Sequence, residues 1–464
     1  MKKLVLLICF FVLTIALYGC GQTSGKVDKP PIASVKHSKS IDVDIYLDGT
    51  YSMSGYVNFS GSTVYIDSLK NTERAITSGW KSDNINYFKF GDGIKKISRN
   101  RYLEANKVSF YQETDTSLQK VIDQIDDKKM SVIVTDLFQT NQDIDSLVKS
   151  LKAKCFSDES MGMALIGIKS QFNGTIYDVG KNLKSFTYKT TSERSSYRPF
   201  YMMVLGKEAD VRYFASILSK DYDGEIYKVV LFSKNIGSKQ SLMAGKRDSE
   251  NNKEKIAHMA KISTLLGSES NVLQYRLKLA EKKSSVNCLL EVDQVVGQAP
   301  KSFESFSFVL EKWSSDGKKE KQTGAFDKIL SAIGIKGKES AQKSFKVIKA
   351  DKFMEVSSDK VNKDNGIVKV PLKIFFNPTS IKKSEGKYRI RFSLYPAKDE
   401  YIHSNKVFSE WNFTDSQVSS LQDLQSCGNK TLNVESFVDV ISALNFELNK
   451  PGVHKNYIYL DAIK

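Results

Sequence analysis

Cysteine, histidine and proline are scarce in this chain of 464 residues, which contains five, four and eight of them. The histidines lie in unrelated segments, and no two cysteines have the Cys-x-x-Cys spacing. A zinc site is therefore not expected, and neither is a catalytic triad, since no nucleophile motif accompanies any histidine. Gly91-Asp92-Gly93 is not followed by Gly-Lys-Ser/Thr, so it is not a phosphate-binding loop. We expect a binding protein rather than an enzyme.

The first 20 residues have the pattern of an export signal. Met1-Lys2-Lys3 precedes the apolar run Leu4–Leu17, which is short for a membrane span. The run ends in Leu17-Tyr18-Gly19-Cys20, which resembles the lipobox of bacterial lipoproteins. That resemblance implies a signal peptide over 1–19 and a lipid on the thiol of Cys20; an ordinary secretory signal is the alternative. No second long apolar run follows, so we expect a protein on the exported side of a cell membrane or envelope, anchored by lipid.

The remaining cysteines and the net charge point to no further class of partner. Cys155, Cys288 and Cys427 are widely spaced and odd in number, which does not indicate a disulfide framework. The formal charge is +16, yet residues 41–222 carry nearly equal numbers of basic and acidic side chains. The excess consists mostly of single lysines elsewhere, without a basic block interleaved with aromatics. We therefore expect no binding to nucleic acid.

Hydrophobic periodicity divides the rest of the chain into segments. Residues 20–40 lack periodicity and indicate a tether. Over 41–222, strands alternate with amphipathic helices, which predicts an α/β domain with a doubly wound, mostly parallel sheet, because parallel strands need crossover helices. Residues 223–267 indicate a linker or exposed helix. Strand patterns dominate 268–415, which we interpret as a β-rich domain, an immunoglobulin-like sandwich; 416–464 predicts a short helical segment.

Three polar loops in the predicted α/β domain carry the candidate site. Asp48, Thr50 and Ser52 follow the first strand at positions i, i+2 and i+4, Thr116 opens a helix, and Asp136 ends the buried strand Val132–Thr135. Ligands of such sheets bind beyond the carboxyl ends of the strands, and clustered carboxylate and hydroxyl oxygens suit a hard cation. The alternative is turn and helix-cap chemistry, for which these residue types are also favoured.

Together these loops resemble the metal-ion-dependent adhesion site of the von Willebrand factor A domain. The similarity covers roughly 41–222, and the Asp-x-Thr-x-Ser-Met motif is its most specific part. It implies that Ser52, Thr50 and Thr116 coordinate Mg²⁺, or Mn²⁺ or Ca²⁺, while Asp48 and Asp136 bind directly or through water. It further implies that an open coordination position accepts an acidic side chain from a protein partner.

The sequence departs from the family pattern in each loop. Thr50 stands where serine is usual, a swap that keeps the hydroxyl. Thr114 and Asp115 replace the two glycines often found before the threonine of the second loop, so Thr114 is a rival ligand to Thr116. Leu137 replaces the glycine after Asp136 and places an apolar side chain at the rim. Two functions stay open: a Mg²⁺-dependent partner-binding lipoprotein, and a metal-free scaffold within an envelope or secretion complex.

Overall fold

The computed structural model describes residues 37–137, 144–179, 184–237, 239–244, 273–280, 283–293, 302–314, 344–350, 352–359, 361–364, 367–382, 384–403, 406–418 and 420–463. The predicted export signal, Cys20 and most of the predicted tether lie outside these residues, as does most of the predicted linker. Across the described ranges, no helix combines the length and the hydropathy that a membrane span would need.

The described residues up to 237 contain nine strands and five α-helices. The strands are β1 (Ser40–Asp48), β2 (Ser82–Phe90), β3 (Ile94–Ile97), β4 (Met130–Thr135), β5 (Met161–Ser170), β6 (Asn173–Val179), β7 (Lys184–Lys189), β8 (Arg198–Lys207) and β9 (Tyr227–Phe232). The helices are α1 (Val64–Gly79), α2 (Arg99–Leu103), α3 (Leu118–Gln124), α4 (Ile144–Lys154) and α5 (Glu208–Leu218). A 3-10 helix, Tyr51–Tyr56, follows β1.

Seven of these strands form one mixed sheet in the order β3-β2-β1-β4-β8-β5-β9, and β6 pairs with β7 in a separate hairpin. β2, β1 and β4 are parallel to one another. β3, β8 and β9 are each antiparallel to the strands beside them. The chain is therefore of mixed α/β class, as the alternation of strands and helices predicts.

The prediction of a mostly parallel sheet is wrong for β8 and β9. A parallel neighbour requires a crossover that carries the chain back to the opposite edge of the sheet, usually through a helix. After β5 the chain forms the β6–β7 hairpin instead, and it re-enters the sheet from the edge at which it left. β8 must consequently run antiparallel to β5 and β4. The helix α5 then provides an ordinary crossover to β9, which joins the sheet although it lies beyond residue 222.

Both faces of the sheet are covered, which explains why its central strands are apolar without interruption. All residues of β4 and β5 are buried, as expected of strands packed on two sides. Alternate residues of β1 enter opposite cores: Val43, Ile45 and Leu47 pack with α1 and α5, whereas Tyr46 packs with α3 and α4. The period-2 pattern of each strand thus determines which core each side chain joins.

Helix α1 illustrates how the sequence sets these elements. It begins after Thr63, whose side-chain oxygen accepts a hydrogen bond from the backbone N–H of Ile66 at 3.3 Å, an N-cap interaction. Its buried positions recur at helical spacing, so one stripe faces the sheet; they are Tyr65, Ile66, Ser68, Leu69, Thr72, Ala75 and Ile76. The same spacing in the sequence predicts a helix over 64–80, and the structure confirms it, with α1 ending one residue earlier at Gly79.

The described residues from 239 onward contain twelve strands and three α-helices. The strands are β10 (Lys239–Ala244), β11 (Leu273–Lys278), β12 (Ser284–Asp293), β13 (Phe303–Ser314), β14 (Ser344–Ile348), β15 (Met354–Ser358), β16 (Asn362–Asp364), β17 (Ile367–Phe376), β18 (Gly386–Pro396), β19 (Asn412–Phe413), β20 (Thr431–Leu432) and β21 (Val453–Ile463). The helices are α6 (Lys398–His403), α7 (Leu421–Ser426) and α8 (Val434–Asn449).

Two five-stranded sheets, one with β10, β12, β17, β15 and β16 and one in the order β11-β21-β18-β13-β14, share a single hydrophobic core. Apolar and polar residues alternate over 388–394, which predicts a strand with one apolar face, and the structure confirms it: Tyr388, Ile390, Phe392 and Leu394 are all buried in that core. A short parallel pair, β19 with β20, lies outside both sheets.

The carboxyl-terminal segment contributes to one core of the seven-stranded sheet and to the core shared by the two five-stranded sheets. Val438 and Ile441 of α8 pack in the same cluster as Ile133 and Met203 of the seven-stranded sheet. The following strand, β21, then inserts between β11 and β18. The segment predicted as helical over 416–464 thus contains the long helix α8 and a central strand of the second half.

We predict that Ile441→Ala lowers the free energy of unfolding by about 2–5 kcal/mol, because it leaves a cavity in the core between α8 and the sheet. Urea unfolding followed by tryptophan fluorescence measures this loss. Val440→Ala is the matched control: Val440 is the next residue of the same helix and is 39% exposed, so its truncation should change stability by about 0.5 kcal/mol or less. Equal losses in the two variants would show that α8 is not docked on the sheet.

Candidate functional site

Asp48 is the last residue of β1, and its side chain is completely buried at the carboxyl edge of the parallel strands. Its Oδ1 accepts hydrogen bonds from the backbone N–H of Thr50 at 3.1 Å and from the Thr50 hydroxyl at 2.7 Å. Its Oδ2 accepts one from the hydroxyl of Thr135 at 2.8 Å. Both carboxylate oxygens therefore accept hydrogen bonds, one from the loop that follows β1 and the other from the end of β4.

The hydroxyls of Thr50 and Ser52 continue this network in a defined direction. A hydroxyl has one proton, and the 2.7 Å bond commits that of Thr50 to Asp48. While Asp48 is ionised, Ser52 is then the donor in the 3.0 Å contact between Thr50 Oγ1 and Ser52 Oγ. Protons point inward toward Asp48, and oxygen lone pairs remain available on Thr50 and Ser52. Such oxygens are ligands that hard cations prefer.

The second loop lies beside the first because their backbones pair. The N–H of Glu113 donates to Gly49 O at 3.0 Å, and the N–H of Tyr51 donates to Glu113 O at 3.1 Å. A Cβ at position 49 would lie 2.0 Å from Cε of Lys89, so any other residue there would displace the Lys89 side chain. The Lys89 amine in turn forms an ion pair with Glu113 at 3.0 Å. This pairing anchors the segment that leads to Thr116.

The two rival threonines of this loop have different surroundings. Thr116 is buried, with 5% of its surface exposed. Thr114 is exposed, and both its N–H and its hydroxyl donate to Asp92 Oδ1, at 3.0 and 3.1 Å. Asp92 also accepts the N–H of Asp115 at 2.9 Å, and these hydrogen bonds lower its pKa. Thr114 is thus tied to the Gly91–Gly93 turn.

Asp136 directly follows β4, which is the neighbour of β1 in the sheet. It is nearly buried, with 4% of its surface exposed. Burial raises the pKa of Asp48 to about 7, and the negative charge of Asp136 adds to that increase, while the hydrogen bonds from Thr50 and Thr135 oppose it. The two carboxylates therefore share a region that water screens poorly. Such a pair is stabilised either by a proton or by a cation.

The carboxyl-terminal segment reaches the same side of the sheet. Arg198, at the start of β8, donates to the backbone oxygens of Gly428 and Lys430 at 2.9 and 3.0 Å. The Tyr201 hydroxyl donates to Thr431 Oγ1 at 2.9 Å. Burial raises the pKa of Tyr201, and the negative charge of Asp136 contributes to that increase. Residues 428–431 are thus packed near the third loop, a connection that no local pattern in the sequence indicates.

The donor set is chemically suited to a small hard cation. It consists of two carboxylates and three hydroxyls, and across the described ranges no group of three or more histidine, cysteine, aspartate or glutamate side chains could hold a metal ion. Mg²⁺ needs no such group, because it commonly keeps several waters and binds one or two carboxylates.

The sequence pattern assigns no role in the site to Thr135, Asp92 and Glu113. Thr135 could have been found from its place beside Asp136 at a strand end, whereas the other two depend on long-range pairing.

No protein-family model matches the chain, and no curated protein matches it either. The assignment of a cation-binding site therefore rests on the three loops alone.

We predict that the stability of the metal-free chain, measured in EDTA, falls between about pH 4 and pH 7. The raised pKa lets the folded chain hold a proton on Asp48 that the unfolded chain, with the ordinary value of 3.8, has already released. The free energy of unfolding therefore decreases as pH rises through this window and levels off above about pH 7. Across this pH window, the free energy of unfolding of the wild type should fall by as much as roughly 4 kcal/mol relative to that of Asp48→Asn.

Urea unfolding at half-unit pH steps measures this difference. Asp123→Asn is the control, because Asp123 is exposed on α3 and its removal should leave the slope unchanged. A slope that persists in Asp48→Asn would mean that another group is responsible.

Proposed function

We propose that this chain is a lipid-anchored envelope protein that binds a partner protein through a cation-dependent von Willebrand factor A-type domain. The observation that carries the proposal is the hydrogen-bond network on Asp48, in which the Thr50 hydroxyl donates to the carboxylate at 2.7 Å and lies 3.0 Å from the Ser52 hydroxyl. A turn or helix cap alone would not need two hydroxyls beside a completely buried carboxylate. The side chain of Thr50 forms no cap hydrogen bond to the 3-10 helix that follows it.

The cation would be held by the hydroxyl oxygens of Thr50, Ser52 and Thr116 and by the carboxylates of Asp48 and Asp136, directly or through water. When bound, Mg²⁺ or a similar ion supplies an electrophilic centre that can accept a carboxylate oxygen from a partner. Only two protein ligands are charged, so a third negative charge remains favourable. The chain's own contribution is to exclude water from Asp48 and to orient the hydroxyls.

Thr116 is the preferred ligand of the second loop. It is buried, whereas Thr114 is exposed and is held at the Gly91–Gly93 turn by its hydrogen bonds to Asp92. By the family resemblance, Thr116 rather than Thr114 is the threonine that places Leu118, Val121 and Ile122 in the family's helical register, and these three residues are buried in the core beneath α3.

The fold supports the assignment in part. Helices on both faces of the sheet and the parallel strands β2, β1 and β4 are consistent with a doubly wound domain, while β8 and β9 depart from it. The two sheets that share a core after residue 239 are consistent with an immunoglobulin-like sandwich, which would act as a spacer or a second binding surface. The anchor is inferred from the lipobox-like sequence around Cys20.

A metal-free scaffold is the second candidate, and the third loop favours it. Leu137 occupies the place of the usual glycine, and it is half-buried against the core of α3 and α4. The raised pKa of Asp48 also lets a proton neutralise the carboxylate where no cation does so. In that case the domain would serve envelope or secretion assembly through its surfaces alone.

A Mn²⁺ titration of the mature chain, followed by the electron paramagnetic resonance signal of free Mn²⁺, tests the leading proposal. We expect one site, a loss of affinity of tenfold or more in Thr116→Ala, and no change in Thr114→Ala. Asp48→Ala should abolish both this binding and the EDTA-sensitive retention of the partner from the native host. A wild type that binds no Mn²⁺, together with unchanged partner retention in Asp48→Ala, would leave the scaffold as the function.

A further inference from the structure

Thr135 is a completely buried residue at the end of β4 to which the family resemblance gives no role. Leu47 pairs with Val134 in the parallel register, so Asp48 and Thr135 follow side by side at the sheet edge. The Thr135 hydroxyl donates to Asp48 Oδ2 at 2.8 Å and accepts the N–H of Leu137 at 3.2 Å. A single hydroxyl thus connects the first loop of the site with the third.

The contact with Leu137 uses a lone pair of the Thr135 hydroxyl and leaves its proton for Asp48. An N–H group already occupies one lone pair of Thr135 Oγ1, so the hydroxyl proton is free to point to Asp48. This geometry depends on an unusual backbone, because Leu137 has φ +62°, in the left-handed region. Such a conformation is strained for a leucine, because its Cβ crowds the following carbonyl oxygen. It turns the N–H of Leu137 back toward the Thr135 hydroxyl, and Asp136 is the residue between the two.

The contact with Asp48 fixes the rotation of its carboxylate. The terminal torsion of aspartate is only weakly restricted, and donors on Oδ1 alone would leave the group free to tilt. With Thr50 on Oδ1 and Thr135 on Oδ2, both oxygens are held. The orientation of Asp48 then determines where Thr50, and through it Ser52, directs its lone pairs.

We propose that Thr135 is a positioning residue of the cation site: its hydroxyl orients Asp48 without itself contacting the cation. This inference rests on the proposed function, since it concerns the affinity of that same site. It differs from the family-based ligand set, which contains the two carboxylates and three hydroxyls but not Thr135.

The test compares the Mn²⁺ affinity of the wild-type mature chain with that of three variants, again by electron paramagnetic resonance. Thr135→Val keeps the shape and removes the hydroxyl, and we expect it to weaken Mn²⁺ binding tenfold or more. Thr135→Ser restores the hydroxyl and should bind within threefold of the wild type. Ser131→Ala is the matched control, because Ser131 is a buried hydroxyl at the other end of β4, and its affinity should not change.

Melting in EDTA shows which variants are folded. If Thr135→Val does not fold, Thr135→Ala replaces it, since the Ser and Ala variants differ only in the hydroxyl and their affinities should differ tenfold or more. Wild-type binding with unchanged affinity in Thr135→Val, or failure of Thr135→Ser to restore binding, would overturn the role of Thr135 alone. Absence of Mn²⁺ binding in the wild type would overturn the cation site and this inference with it.

Discussion

A carboxylate enclosed at the edge of a sheet is the constraint on which the rest of this site depends. Asp48 is completely buried, and three donors converge on its oxygens, two from Thr50 in the loop after β1 and one from Thr135 at the end of β4. Burying a charge is costly unless hydrogen bonds or an opposite charge compensate. Here the hydrogen bonds offset only part of the cost, as the raised pKa shows, and Asp136 increases it. The arrangement is therefore one that a bound cation would stabilise.

The sheet provides this enclosure by placing β1 between two parallel neighbours. The carboxyl ends of β1 and β4 meet at one edge, so that Asp48 and Thr135 become adjacent. The loop that follows β1 is also held by backbone hydrogen bonds to Glu113. Segments far apart in the chain thus supply one cluster of oxygens, and the cores on both faces hold the strands that carry them.

Local pattern was enough to predict the elements that carry the site. The alternation over 41–47, the apolar run before Asp136 and the helical spacing after Thr116 each have one dominant interpretation, and the structure has β1, β4 and α3 at these places. The direction of β8 could not be predicted in this way, because it depends on whether residues 171–197 form a crossover helix or a hairpin. The positions of Thr135 and Asp92 depend on strand register and long-range pairing. The return of α8 to the sheet has no local signal at all.

The most direct measurement of the central claim is an anomalous difference map from crystals of the mature chain soaked in Mn²⁺. The account predicts one strong peak at the carboxyl edge of β1 and β4, within about 2.0–2.6 Å of oxygens from Thr50, Ser52 and Thr116. A map in which Mn²⁺ occupies other positions and leaves this edge without a peak would contradict it. Asp48 would then be a buried acid in a scaffold.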